Sequence, residues 1–141
     1  MRESSDGRRN VVVGFAALLG FLLYGFFLLY QRDFSAARRE WIAGFAEGEA
    51  FESRLAHAHG NLLAILNVLV GLFLERLGRS TRATRAASWC ALAGLGMPVG
   101  IAAEAHLGAP PILVLAGGAA MAVSVAICLG LAARAERAQR S

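Results

Sequence analysis

The sequence predicts an all-α integral membrane protein: a four-helix bundle running up-down-up-down, with both termini cytoplasmic. Three observations predict it. Apolar residues make up 57% of the 141 and charged ones 17%, where a soluble domain carries roughly 45–50% and about 25%. Four long runs lack Asp, Glu, Lys and Arg, and lipid leaves a helix as the natural way to satisfy their backbone groups. The arginines, finally, gather at alternate ends of those runs. The length suits one domain, so residues 1–141 are taken as a single four-span unit.

The first span is expected over about 11–30. Its apolar stretch is longer than the h-region of a signal peptide and no clear cleavage site follows, so it is expected to stay on the chain. An outer loop over 31–54 comes next. Within it Phe34, Trp41 and Phe45 lie near one helical stripe with Arg38, Arg39 and Glu40 between them, which suits a short helix at the headgroups with Trp41 as anchor. The second span is expected over 56–75, and the third over 86–106 with a bend at Pro98. The fourth is expected over 110–132, its first turn tolerant of Pro110 and Pro111.

Arg2, Arg8 and Arg9, then Arg76, Arg79, Arg82 and Arg85, then Arg134, Arg137 and Arg140 fall on one side of these spans. Arg32, Arg38, Arg39 and Arg54 fall on the other, among Asp33, Glu40, Glu47, Glu49 and Glu52. The positive-inside rule places the first set, and both termini, in the cytoplasm. A multi-pass protein of the plasma membrane follows, and the topology suits a bacterial inner membrane. The net charge of +4 sits beside apolar runs, so the bilayer and its anionic headgroups are the expected partner and nucleic acid is not.

Small residues permit close helix approach in lipid. Gly60, Ala64 and Gly71, then Gly94, Gly96 and Gly100, then Gly117, Gly118 and Ala122 are the expected contact faces. Cys90 and Cys128 each lie in an apolar run and form no CxxC motif, so both read as small buried residues.

Chemistry is expected where polar residues enter the spans. At about 100° per residue, His57, Gly60, Asn61, Ala64, Asn67 and Gly71 share an arc about 120° wide. His59 points the other way with Leu62, Leu66 and Val70, so His57 is the inward histidine and His59 faces lipid or headgroups. Span three ends in Glu104-Ala105-His106. An antiparallel bundle therefore brings His57, His59, His106 and Glu104 to one membrane face, with Arg54 beside them. Such a set can hold haem iron axially or a transition metal, and it can also relay protons. Interfacial residues with no cofactor, Glu104 pairing with Arg54 among them, are the simpler reading of the same pattern.

The stretch Ala56-His57-Ala58-His59-Gly60-Asn61-Leu62-Leu63 resembles the histidine-bearing helix openings of haem–copper oxidase subunit I and of NnrS-like membrane proteins. That resemblance implies haem b or a metal held by His57 or His59, with His106 as partner. It covers a short segment of the chain, and those families are much larger.

Three functions compete. One is a small membrane protein with a haem or metal site at its outer face, for electron transfer or cofactor handling. Another is a non-catalytic accessory subunit, a homo-oligomer or part of a larger membrane complex. The third is a small dimeric transporter, ranked last because the first span lacks an acid and Glu104 alone could substitute. P-loop, GxGxxG, HExxH and GxSxG motifs are absent from the sequence, so the balance leans away from an enzyme.

Overall fold

The computed structural model describes residues 5–140, and Arg2 lies outside them. Those residues form six helices and, among them, no strand: α1 (Ser5–Asp33), α2 (Arg38–Ala43), α3 (Gly48–Leu77), α4 (Arg82–Gly94), α5 (Gly96–Leu107) and α6 (Ile112–Arg140). Four stretches are long and apolar enough to cross a membrane: Asp6–Asp33, Gly48–Leu77, Arg82–Leu107 and Ile112–Ala138. Each of the four expected spans falls on one of these helical stretches.

Their bounds differ from expectation in ways the local chemistry explains. Only Phe34 to Glu47 remains between α1 and α3, and it contains α2. The expected outer loop 31–54 is therefore too long. α3 begins at Gly48, so Arg54, His57 and His59 lie inside a helix and not at its opening. The carboxylates Glu49 and Glu52 are no obstacle there, since negative charge is favourable near a helix N-terminus. α3 closes on Gly78 at φ 62°, a left-handed position that glycine adopts without strain. Thr81 then opens α4 with a reciprocal cap: its Oγ1 accepts from Thr84 N–H, and Thr84 Oγ1 accepts from Thr81 N–H.

The bend expected at Pro98 takes the form of a break at Leu95, between α4 and α5. The proline ring crowds the carbonyl four residues earlier, which is that of Gly94. Ending α4 at Gly94 removes the crowding. It also puts Pro98 in the first turn of α5, where no N–H is required.

α3 is the central helix. One face packs along α1 and another on α4 and α5; α6 packs on the far side of α4 and α5. The α1–α3 seam is antiparallel and built on glycine. A Cβ at Gly14 would lie 2.9 Å from the Ala64 carbonyl oxygen, and one at Gly71 would lie 2.7 Å from that of Gly7. Gly60 lies against the Phe21 ring, and Gly25 against the His57 ring. On the other side Gly94 meets Met121, and Gly100 meets Leu113 and Val114.

The central position of α3 corrects one expectation. Leu66 and Val70, read as pointing to lipid with His59, pack into the core formed by Leu63, Leu74, Ala87, Ala91, Met121 and Leu131. Leu62 alone of that group is well exposed, at 54%. A helix flanked on two sides buries two faces, whereas the sequence reading allowed it one.

Candidate functional site

Consecutive spans are antiparallel, so two polar clusters form at opposite ends. One carries the histidines and the other lies near the chain termini.

At the histidine end, His106 stands in the last turn of α5, just before Gly108 caps the helix at φ 63°. Its Nδ1 is 3.0 Å from Glu49 Oε1, and its Nε2 is 2.8 Å from Tyr24 Oη. Ser53 Oγ lies 3.4 Å from the same Nε2. A carboxylate only accepts, so Nδ1 donates to Glu49; the neutral ring then accepts the Tyr24 hydroxyl proton at Nε2. The Tyr24 ring meets the imidazole edge-on, 6.2 Å between centroids. One histidine thus ties α1, α3 and α5 together.

His57 and His59 are not part of that tie. His57 faces α1, as its arc predicts, and its Nδ1 donates to the Phe21 carbonyl at 2.8 Å. Asn61 Nδ2 donates to the His57 carbonyl at 3.0 Å and lies 3.3 Å from the ring. His59 Nδ1 donates to Leu55 O of its own helix at 3.0 Å. Arg54 donates to the Phe45 carbonyl at 2.8 Å, and its guanidinium lies over the Phe45 ring at 3.6 Å, so its contacts are with Phe45 and not with Glu104. Glu104 is partly exposed on α5.

The residues expected to share a cofactor therefore have separate partners. Among the described residues, no group of three or more His, Cys, Asp or Glu is placed to hold a metal ion. Both ring nitrogens of His106 are engaged by protein side chains. The set His57, His59, Glu104 and His106 does not fit one coordination sphere.

The other cluster was missed from sequence except for Asn67. Asn10, Asn67 and Ser88 are all fully buried. Asn10 Nδ2 donates to Asn67 Oδ1 and to the Ser88 carbonyl, each at 3.1 Å. Asn67 Nδ2 reaches Leu63 O at 3.1 Å and Ala91 O at 2.9 Å. The Ser88 hydroxyl lies between Asn10 Oδ1 and Asp6 O, and accepts from Arg9 Nη2 at 3.0 Å. Arg9 stacks on Trp89 at 4.1 Å, pairs with Asp6 at 3.6 Å, and Ser80 donates to Asp6 at 3.2 Å. The signal in the sequence was Asn10 and Ser88 at the edges of apolar runs. Nothing there said that they meet.

The arrangement is that of a helix clamp at each end. Asn10, Asn67, Ser88 and His106 bond to neighbouring helices, which satisfies them where lipid cannot, whereas the buried Asn61 Oδ1 and Arg9 Nε have no partner among the described residues. Comparison of the chain with protein-family models, with curated proteins and with solved structures finds no match.

Proposed function

We propose that the chain is a multi-pass plasma-membrane protein, both termini cytoplasmic, that serves a larger membrane assembly as a non-catalytic subunit and docks through α6. The observation that carries this reading is a row of small exposed residues, Ala119, Ala122, Ala126, Gly130 and Ala133, at three- and four-residue spacing. It lies opposite the face that α6 buries with Gly117, Met121, Ser124 and Leu131. The outward face of α1 is different: Phe15, Leu19, Leu22 and Phe26 are 56, 60, 49 and 68% exposed, the large apolar groups that suit lipid tails. A flat row lets a second helix approach closely, and van der Waals packing drives association in the bilayer. The arginines near the ends of α1, α3 and α6 support the orientation.

Ala126→Phe tests the docking face. Extracted from its native membrane in nanodiscs, the wild-type chain is expected to run as an assembly and the variant as a single chain. An unchanged size would remove α6 as the contact.

One observation favours a second reading, the haem or metal site. The Phe21 carbonyl holds His57 Nδ1–H and so turns the Nε2 lone pair away from that bond, the tautomer used by metal-binding histidines, although Asn61 Nδ2 lies 3.3 Å from Nε2 and a ligand there would have to displace it. An optical spectrum of the purified protein, oxidised and then reduced with dithionite, decides the haem version; bands that vanish in His57→Ala would establish it. Elemental analysis decides the colourless metals.

A further inference from the structure

At the histidine end, α1, α2 and α3 enclose a cleft of about 200 Å³. Its deeper wall is Gly25, Leu28 and Leu29 of α1, apolar residues with the His57 ring packed on Gly25. Its upper wall carries Arg32 and Arg54, with Trp41 and Phe45 beside them. The two arginines differ. Arg32 is forked onto Asp33 at 2.9 and 2.8 Å and so is already neutralised. Arg54 makes no ion pair among the described residues; its charge rests on a carbonyl oxygen and an aromatic face.

The geometry points to a site for one anionic phospholipid, independent of the α6 reading above. Arg54 would take the phosphate, and an acyl chain would run down the side of α1 along the exposed Leu29. Three features favour an amphiphile over a free anion. The cleft grades from charged to apolar along the direction in which a lipid lies. An arginine without a carboxylate presents a planar set of donors suited to phosphate oxygens. Leu29 is 40% exposed and open to the bilayer side, so a chain could enter from the lipid without the helices parting.

The test is native mass spectrometry of the full chain released from phosphatidylcholine nanodiscs doped with phosphatidylglycerol. Wild-type protein is expected to retain phosphatidylglycerol in preference to phosphatidylcholine. Arg54→Gln should lower that retention about tenfold, the scale of one charge-assisted hydrogen bond. Leu29→Trp, which fills the apolar wall and leaves Arg54 in place, should lower it as well. Arg39→Gln, exposed on α2 and outside the cleft, should not. Retention unchanged in either Arg54→Gln or Leu29→Trp would overturn the proposal. So would displacement of the lipid by inorganic phosphate as effective as displacement by short-chain phosphatidylglycerol, because the tail would then contribute nothing.

Discussion

Asn10 and Asn67, on α1 and α3, share a 3.1 Å amide–amide hydrogen bond at a point where neither side chain is exposed at all. In hydrocarbon neither could find water, so each depends on the other and on Ser88, Leu63 and Ala91. This contact joins the first span to the centre of the molecule.

Replacing Asn67 by Leu should destabilise the fold. Interhelical hydrogen bonds in membranes are worth about 0.6 kcal/mol on average and up to about 2. Asn67 makes three, one of them within its own helix, so a loss of about 1–2 kcal/mol is expected. Unfolding in mixed micelles with rising dodecyl sulfate would measure it. The double variant with Asn10→Leu should lose less than the sum of the two single changes, because they break the same bond. Full additivity would show that the two amides do not act together.

The glycines of α1 are not equivalent. Gly14→Ala places its Cβ 2.9 Å from the Ala64 carbonyl oxygen and 2.7 Å from Val68 Cγ2, so the α1–α3 seam must open. Overpacking of this kind costs about 1–3 kcal/mol. Gly20→Ala meets nothing within 4 Å and should be neutral or slightly stabilising, since alanine is the better helix former. Thermal melts followed by size-exclusion fluorescence compare the two, and equal behaviour would contradict the seam as described.

Histidine tautomers give a direct readout of the histidine end. Both His57 and His106 face a group that can only accept at Nδ1, Phe21 O and Glu49 respectively. Nitrogen NMR of ring-labelled protein at alkaline pH should find both as the Nδ1–H tautomer. Glu49→Gln, whose amide can also donate, should loosen that preference at His106 and leave His57 unchanged. An Nε2–H form at His57 would mean that the Phe21 contact is absent.

Orientation can be read by labelling. With Cys90 and Cys128 replaced by serine, a cysteine at Ser35, in the turn after α1, should react with an impermeant maleimide in intact cells. A cysteine at Ser80, between α3 and α4, should react only after lysis. The reverse pattern would invert the chain in the membrane.

The number of spans was legible because a charge-free run near 20 residues has few alternatives in lipid. The inward turn of His57 was legible for a related reason: it shares an arc with Gly60, Asn61, Ala64 and Asn67, and small or polar residues mark a helix seam. The second buried face of α3 was not. Leu66 and Val70 are as apolar as any residue facing lipid, so hydropathy does not distinguish core from bilayer within a span. The start of α3 was also misread, because Glu49, Glu52 and Arg54 look like loop and are instead the first turns of a helix.

The sequence by itself determined that the chain is helical, that four stretches can cross a membrane, and that the third departs from a straight helix near Pro98. Those properties follow from backbone hydrogen bonding and proline geometry, which act over a few residues. Only the tertiary structure decided which polar groups meet. The topology alone left His106 free to join His57 or Glu104, and it instead joins Glu49 and Tyr24; Asn10 and Ser88 complete a clamp around Asn67. Such pairings depend on which helices are neighbours and on their relative rotation. Close approach at Gly14, Gly60, Gly71, Gly94 and Gly100 sets both, across separations that no local pattern in the chain encodes.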